Sequence, residues 1–237
     1  MSQLNPYFCE LTAMYWAWKN LDCDYYGFFH YRRVLDFTPH TLKARLLRAF
    51  IPQTQVILKY HLQPHNIYQF LQESQADIVL PKALKLRPEL SAYEDFKLDH
   101  IVEDLDKAIA YITKTYPHMQ DCIQRALFTK GAKMYHWNLA IYRREVFFEY
   151  AQWLFDVLLH IEIDYMHYDS TQGRVFGFLA ERLFNVWLDS MRGRLRISER
   201  KVRLLYTNQS KFFGKRVSKD YERYYFFFIR VWKRPIK

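Results

Sequence analysis

Apolar residues recur along this chain in two alternating rhythms, and that alternation constrains the fold more than any other feature. Tyr25–His30 (YYGFFH) and Ala76–Leu80 (ADIVL, stopped by Pro81) are short continuous runs with the β-prone content of buried strands. The first reads as a central strand that ends at His30-Tyr31-Arg32-Arg33. Other stretches return an apolar residue every three or four positions, the spacing of one helix face. Residues 6–20 do so with Leu11, Met14, Tyr15 and Trp18, with Asn5 as N-cap and Pro6 at the first helical position. Residues 101–115 repeat the pattern with Ile101, Leu105, Ala108, Ile109 and Ile112. Strongly apolar helices follow over 144–162 and 173–190, and shorter ones over 41–50, 65–74 and 118–128. Met134–Tyr142 supplies a third strand, and 194–205 a last strand or hairpin. Strands alternating with helices specify an α/β layered sheet.

Rings are abundant: 19 Tyr, 19 Phe and 6 Trp make 19% of the 237 residues. Such side chains build core, and they also stack on sugars, on bases and at membrane interfaces, so composition alone leaves the use open. The formal net charge is +10, unevenly spread. From Arg192 onward there are 15 Lys and Arg against three Asp and Glu, which leaves the first 191 residues slightly acidic. The charge belongs to the tail, and no nucleic-acid fold motif accompanies it, so nucleic acid is not among the expected partners.

Cys9, Cys23 and Cys122 form no CxxC and no framework, which suits a reducing compartment. The first residues lack a signal-peptide pattern, and no stretch approaches 18 uninterrupted apolar residues. GxGxxG, GxxxxGK[ST], HExxH and GxSxG are all missing. The nine histidines offer no helix-face pair with a third ligand, so no protein-built metal site is expected.

Three polar clusters remain. His30, Arg32 and Arg33 stand at an apolar strand end, where α/β sheets place ligands; two guanidiniums there clamp a phosphate or answer nearby carboxylates, and the pattern fits both. His100, Glu103, Asp104 and Asp106 open a helix, where acidic residues complement the macrodipole or serve as catalytic carboxylates. Asp169 precedes Gln172 and Arg174 as a natural N-cap. Beyond them Glu181 and Arg182 interrupt an almost wholly apolar helix, as an internal ion pair or as the polar floor of a site.

Taken together, NPYFCELTAMYWAWKNL, DYYGFFHYRR, HIVEDLD, WNLAIYRREVFFEYAQWLF and YDSTQGRVFGFLAERLFNVW resemble, in order from Asn5 to Leu188, the bacterial capsule, lipopolysaccharide and exopolysaccharide glycosyltransferases long catalogued as a domain of unknown function. The resemblance implies a GT-A-like mixed sheet flanked by helices, a nucleotide-sugar donor (UDP-linked, galactofuranose among the sugars) and a growing or lipid-linked glycan as acceptor. It places the protein in the bacterial cytoplasm, peripheral on the inner face of the inner membrane. It implies donor binding by His30, Arg32 and Arg33, and an acceptor side of His100, Asn138, Gln172, Arg174, Glu181 and Arg182. Attack by a sugar hydroxyl needs a positioned carboxylate: Asp169 first, with Glu103 and Asp104 as rivals.

Two departures from the family pattern bear on these expectations. Relatives carry a further β-α segment before NPxFCE, so the domain over 1–207 is expected to be incomplete at its N-terminus; a remnant that binds or scaffolds is the alternative to an enzyme. HYRR also stands where many GT-A enzymes hold Mg²⁺ or Mn²⁺ with DxD, so cationic side chains replace a required metal, with Mg or Mn as the alternative. Asp22-Cys23-Asp24 precedes the strand and reads as a turn. The remaining 208–237 interleaves bases and rings. Read as a helix over 218–232, it lines up Tyr221, Tyr224, Tyr225, Phe228 and Trp232 and would lie on an anionic membrane surface or on the protein's own body.

Overall fold

The computed structural model describes residues 4–52, 54–169 and 171–205, and beyond these the strand backbones Phe213–Val217, Tyr221–Phe226 and Ile229–Pro235. The chain divides into two compact units, Met1–Leu35 with Tyr68–Arg203, and Asp36–Ile67 with Leu204–Lys237.

The first unit is built on a mixed four-stranded sheet in the order Tyr25–Phe28, Ala140–Arg143, Ile78–Pro81, Ile197–Arg200. The first three pair antiparallel and the last two parallel. Ile78–Pro81 is buried at every position, as a branched apolar run between two neighbours requires. Tyr25–Phe28, expected at the centre, instead ends the sheet order and pairs antiparallel. Its apolar run covers one side only: Tyr26 is buried, stacked on Phe147 at 4.4 Å with its hydroxyl donating to the Leu21 carbonyl, while Gly27 is exposed.

Helices Arg144–His160 and Val175–Ser190 each supply more buried core residues than any other element of the unit. Phe147, Tyr150, Leu154, Phe155, Leu179, Leu183 and Trp187 are almost fully covered. Burying a large apolar side chain contributes roughly 1.5–3 kcal/mol, so these two helices dominate the unit's stability.

Two expected elements are broken. The helix over 6–20 is two pieces, Asn5–Phe8 and Leu11–Asn20, separated where Cys9 takes φ 49° and ψ −127°. Asn5 is the first helical residue rather than the cap, and Leu4 precedes it with no side-chain cap. The strand over 134–142 splits into Lys133–Met134 and Ala140–Arg143. The reason lies across the core: buried Asn185 accepts from the Tyr135 N–H and donates to the Tyr135 carbonyl, both at 2.9 Å, taking the place of a strand partner. Trp137 (φ 77°) and Asn138 (φ 48°) then turn through left-handed backbone.

In the second unit, helix Leu42–Phe50 begins on Thr41, whose hydroxyl accepts from the Ala44 N–H. Buried Asp36 receives Arg48 Nη1 at 2.6 Å, and Lys59 Nζ donates to the carbonyls of Arg48 and Ile51. The described residues of the basic tail are strand, not helix. Phe213–Val217, Tyr221–Phe226 and Ile229–Pro235 form an antiparallel meander, with Tyr224 opposite Lys215 on one side and Trp232 on the other. Aromatic and branched residues dense enough to cover a helix all round are those that prefer a pleated surface, and here strand preference overrides the imperfect helical stripe. Residues 218–220, 227 and 228 of that expected helix lie outside the described residues.

Candidate functional site

The break at Cys9 turns the start of helix Leu11–Asn20 toward the end of strand Tyr25–Phe28, and an open pocket of about 620 Å³ lies between them. Cys9, Glu10, Thr12, His30, Tyr31 and Arg174 are among its walls. Of the non-glycine residues at positive φ, Cys9 lines the pocket, while Asn138 and Trp137 contact Glu10 and Arg33. Such conformations cost of order 1–3 kcal/mol each and concentrate where function requires them.

Glu10 is the acidic member. Asn138 Nδ2 donates to its Oε1 at 2.9 Å and to the Gly177 carbonyl at 3.0 Å, fixing loop 135–139 to both helices. His30 Nδ1 accepts from the Arg32 N–H at 3.1 Å, so neutral imidazole carries its proton on Nε2. Burial, then the Arg33 guanidinium, holds the His30 pKa below the ordinary histidine value, with Arg174 and Arg32 acting the same way and Glu10 against them. Arg33 lies over the Trp137 ring at 5.1 Å, and Arg32, exposed, over Tyr31 at 4.8 Å. Arg174 Nε donates to Cys9 Sγ at 3.3 Å, which raises its pKa. Thr12 Oγ1 in the pocket wall and Asn138 Oδ1 are buried polar atoms with no hydrogen-bond partner among the described residues.

Arg174 also opens a stacked ladder. Its guanidinium lies 5.5 Å from the Phe178 ring, Phe178 stacks on His100 at 4.0 Å, His100 meets Phe96 at 4.8 Å, and Arg182 lies 5.5 Å from Phe96. Burial and Arg182 lower the His100 pKa. Gln172 Nε2 donates to the Asp99 carbonyl beside it. The ladder thus joins His100, Gln172, Arg174 and Arg182. Glu181 and Arg182 do not pair with each other: Arg182, buried, binds Asp95 at 2.8 Å, and Glu181 faces His136 at 3.7 Å. Burial pushes the Glu181 pKa up, but His136, the Trp137 backbone and Arg182 outweigh it and hold it low.

The three expected carboxylates are placed differently. Asp169, exposed, caps the turn Gln172–Arg174: its Oδ1 accepts from the N–H groups of Gln172 and Thr171 at 2.8 and 2.7 Å, and these bonds lower its pKa. Asp104 is buried, and both its oxygens lie 3.0 Å from the Tyr168 hydroxyl. Burial raises its pKa, and the Tyr168 phenol is pushed up to about 12 by burial and by Asp104. Glu103 is exposed in the first turn of Val102–Thr115.

Of the residues expected from the sequence, His30 and Arg174 line this pocket, Asn138 reaches it through Glu10, and Arg32 and Arg33 stand outside its lining over Tyr31 and Trp137; Cys9 and Glu10, which also line it, were not expected there. A polar Cys-Glu pair between two aromatic helical turns was the available signal; read as one helix, 6–20 hid it. Asp22 pairs with Arg144 and lies before the strand, away from His30. Among the described residues no group of three or more His, Cys, Asp or Glu is placed to hold a metal ion. No helix there is long and apolar enough to cross a membrane.

A family model described as a domain of unknown function, DUF4422, matches residues 1–192. Among solved structures, the chain is similar to the apo structure of the bifunctional glycosyltransferase WbbM, at 27% identity and TM-score 0.75 over 93% of this chain. It spans 40% of that protein's chain. No curated protein matches. The mixed sheet flanked by helices is therefore a glycosyltransferase-like fold.

Proposed function

The chain belongs to the DUF4422 family, and from that membership we propose that it is a glycosyltransferase of the GT-A type, moving a sugar from a UDP-linked hexose donor, galactofuranose among the candidates, to a growing cell-surface polysaccharide or lipopolysaccharide. The observation that carries this reading is the convergence of His30, Arg174 and Glu10 on one open pocket beside strained backbone at Cys9, with Arg33 acting on His30 from outside the lining. The likeness to a glycosyltransferase over 93% of the chain supports it.

In this reading Arg33, Arg32 and the Nε2–H of His30 bind the donor diphosphate. As the bond from the anomeric carbon to the phosphate oxygen breaks, the nucleoside diphosphate leaves with the electron pair, and these donors offset its charge. The acceptor oxygen forms the new bond to that carbon and gives its proton to a carboxylate. Glu10 is the carboxylate that lines the pocket, and we place it beside Asp169 as the base, ahead of Glu103 and of Asp104, which Tyr168 occupies. His100, Gln172, Arg174, Glu181 and Arg182 brace the acceptor side. No divalent cation is required, because guanidiniums stand at the strand end. The acceptor is a lipid-linked glycan, and the reaction takes place against the cytoplasmic face of the inner membrane.

A panel of nucleotide-sugars with the recombinant chain tests the proposal. Transfer to a glycan acceptor is expected, and Glu10→Gln, which keeps the acceptor for Asn138 but removes the charge, is expected to lower turnover by about 10²–10⁴-fold. Neither binding nor transfer from any donor would sink the reading; wild-type turnover in Glu10→Gln would remove Glu10 from the chemistry.

A further inference from the structure

Helix Leu42–Phe50 is held to its unit by Arg48, partly covered, which pairs with buried Asp36 at 2.6 Å. Leu42, Leu46 and Phe50, one turn apart along the helix, with Leu47 beside them, face outward, and Ile57 and Leu58 of the next helix are exposed as well. These six side chains are between 48% and 84% exposed. Scattered surface leucines need no explanation, but four large apolar side chains exposed on one nine-residue helix, with two more on the next, make an unpartnered apolar face.

Charge identifies what covers it. The compact unit of Asp36–Ile67 and Leu204–Lys237 holds Lys43, Arg45, Arg48 and Lys59 and nine more basic residues after Leu204, against only Asp36, Asp220 and Glu222. The other unit balances, 22 basic residues against 22 acidic, so the whole +10 of the protein resides in the unit that carries the apolar face. A second copy of so cationic a unit is repelled. A bilayer bearing anionic lipid satisfies both features: leucine and phenylalanine enter the boundary between headgroups and acyl chains, and each nearby cation adds about 1 kcal/mol. Nine residues are far too few to span the hydrocarbon.

We propose that Leu42–Phe50, with Ile57 and Leu58, is a membrane-docking surface that seats this unit on anionic lipid. The proposal rests on the membrane setting given above and not on the transfer chemistry. Sedimentation of the full chain with vesicles tests it, comparing phosphatidylcholine alone with phosphatidylcholine containing phosphatidylglycerol. The wild type is expected to bind the anionic vesicles, less at high salt, and the neutral ones far less. The double variant Leu46→Ser/Phe50→Ser, at exposed positions whose loss leaves circular dichroism and Tm unchanged, is expected to bind at least tenfold more weakly. Equal binding by the variant overturns the docking surface while leaving the membrane setting in place. Absence of wild-type binding to anionic vesicles overturns both, and donor turnover in solution reports on the transferase reading separately. A lipid-free dimer in sedimentation velocity that the double variant converts to monomer assigns the face to a second copy and also overturns the proposal.

Discussion

Asn138 and Glu10, 128 positions apart in the chain, meet through a 2.9 Å hydrogen bond from the Asn138 amide to the Glu10 carboxylate. One stands in left-handed backbone and the other follows a residue that does. The bond ties the broken first helix, whose Cys9 and Glu10 line the pocket, to the loop of the interrupted strand.

Asn138→Ala should therefore lower stability. It removes donors to Glu10 and to the Gly177 carbonyl and leaves a Cβ in left-handed backbone without the polar side chain that favours it. A loss of about 1–3 kcal/mol in urea unfolding is expected. A change under about 0.5 kcal/mol would mean that the loop is held by other contacts.

For donor binding, Arg33→Ala is expected to weaken UDP affinity by about ten- to a hundredfold, or roughly 1.4–2.8 kcal/mol. Arg32→Ala should cost less, because Arg32 is exposed whereas Arg33 is half-buried against Trp137. Arg33→Lys should recover only part, since the planar fork and its stacking on the ring are lost. Isothermal titration decides; wild-type affinity in both alanine variants returns the arginines to the surface.

Asp169 offers a separation of roles. Asn caps a helix about as well as Asp, so Asp169→Asn should keep Tm while removing the charge, and Asp169→Ala should lower Tm. A turnover loss in Asp169→Asn with unchanged Tm would assign chemistry to the carboxylate. Full turnover in that variant would leave Asp169 as the cap that its bonds to Thr171 and Gln172 describe.

His30 should respond to pH in a definite direction. Its folded pKa lies below the unfolded value of about 6.5, because burial and Arg33 disfavour the imidazolium. The unfolded chain takes the proton more readily, so the His30 contribution to stability is present above pH of about 6.5 and is lost as pH falls through the folded value. Histidine NMR titration should show this depression, and UDP, an anion, should raise the pKa. No change on adding saturating UDP would place the diphosphate elsewhere.

If the proposed donor role of Arg32 and Arg33 holds, turnover in excess EDTA should equal that in Mg²⁺ or Mn²⁺, because their guanidiniums would offset the diphosphate charge. Complete loss in EDTA restored by Mn²⁺ would overturn the metal-free reading.

Local sequence determined the helices Val102–Thr115 and Arg144–His160, the strand Ile78–Pro81 and the layered α/β class, because apolar periodicity over ten or more residues, or an unbroken branched run, admits one way of burying its surface. The cluster of His30, Arg32 and Arg33 stood out in the sequence as polar groups at an apolar strand end, and the structure sets His30 in the pocket wall. The tertiary structure alone decided the rest. Periodicity cannot see the reach of Asn185, which satisfies the Tyr135 backbone and ends a strand, nor the turn at Cys9 that aims Glu10 at the pocket. Edge or centre for Tyr25–Phe28 depends on which strands pair, and pairing is set by contacts far apart in the chain. The tail shows the same limit: its rings fit a helix stripe or a pleated sheet about equally on one chain segment, and the pairing of Tyr221–Phe226 with Phe213–Val217 on one side and Ile229–Pro235 on the other chooses the sheet.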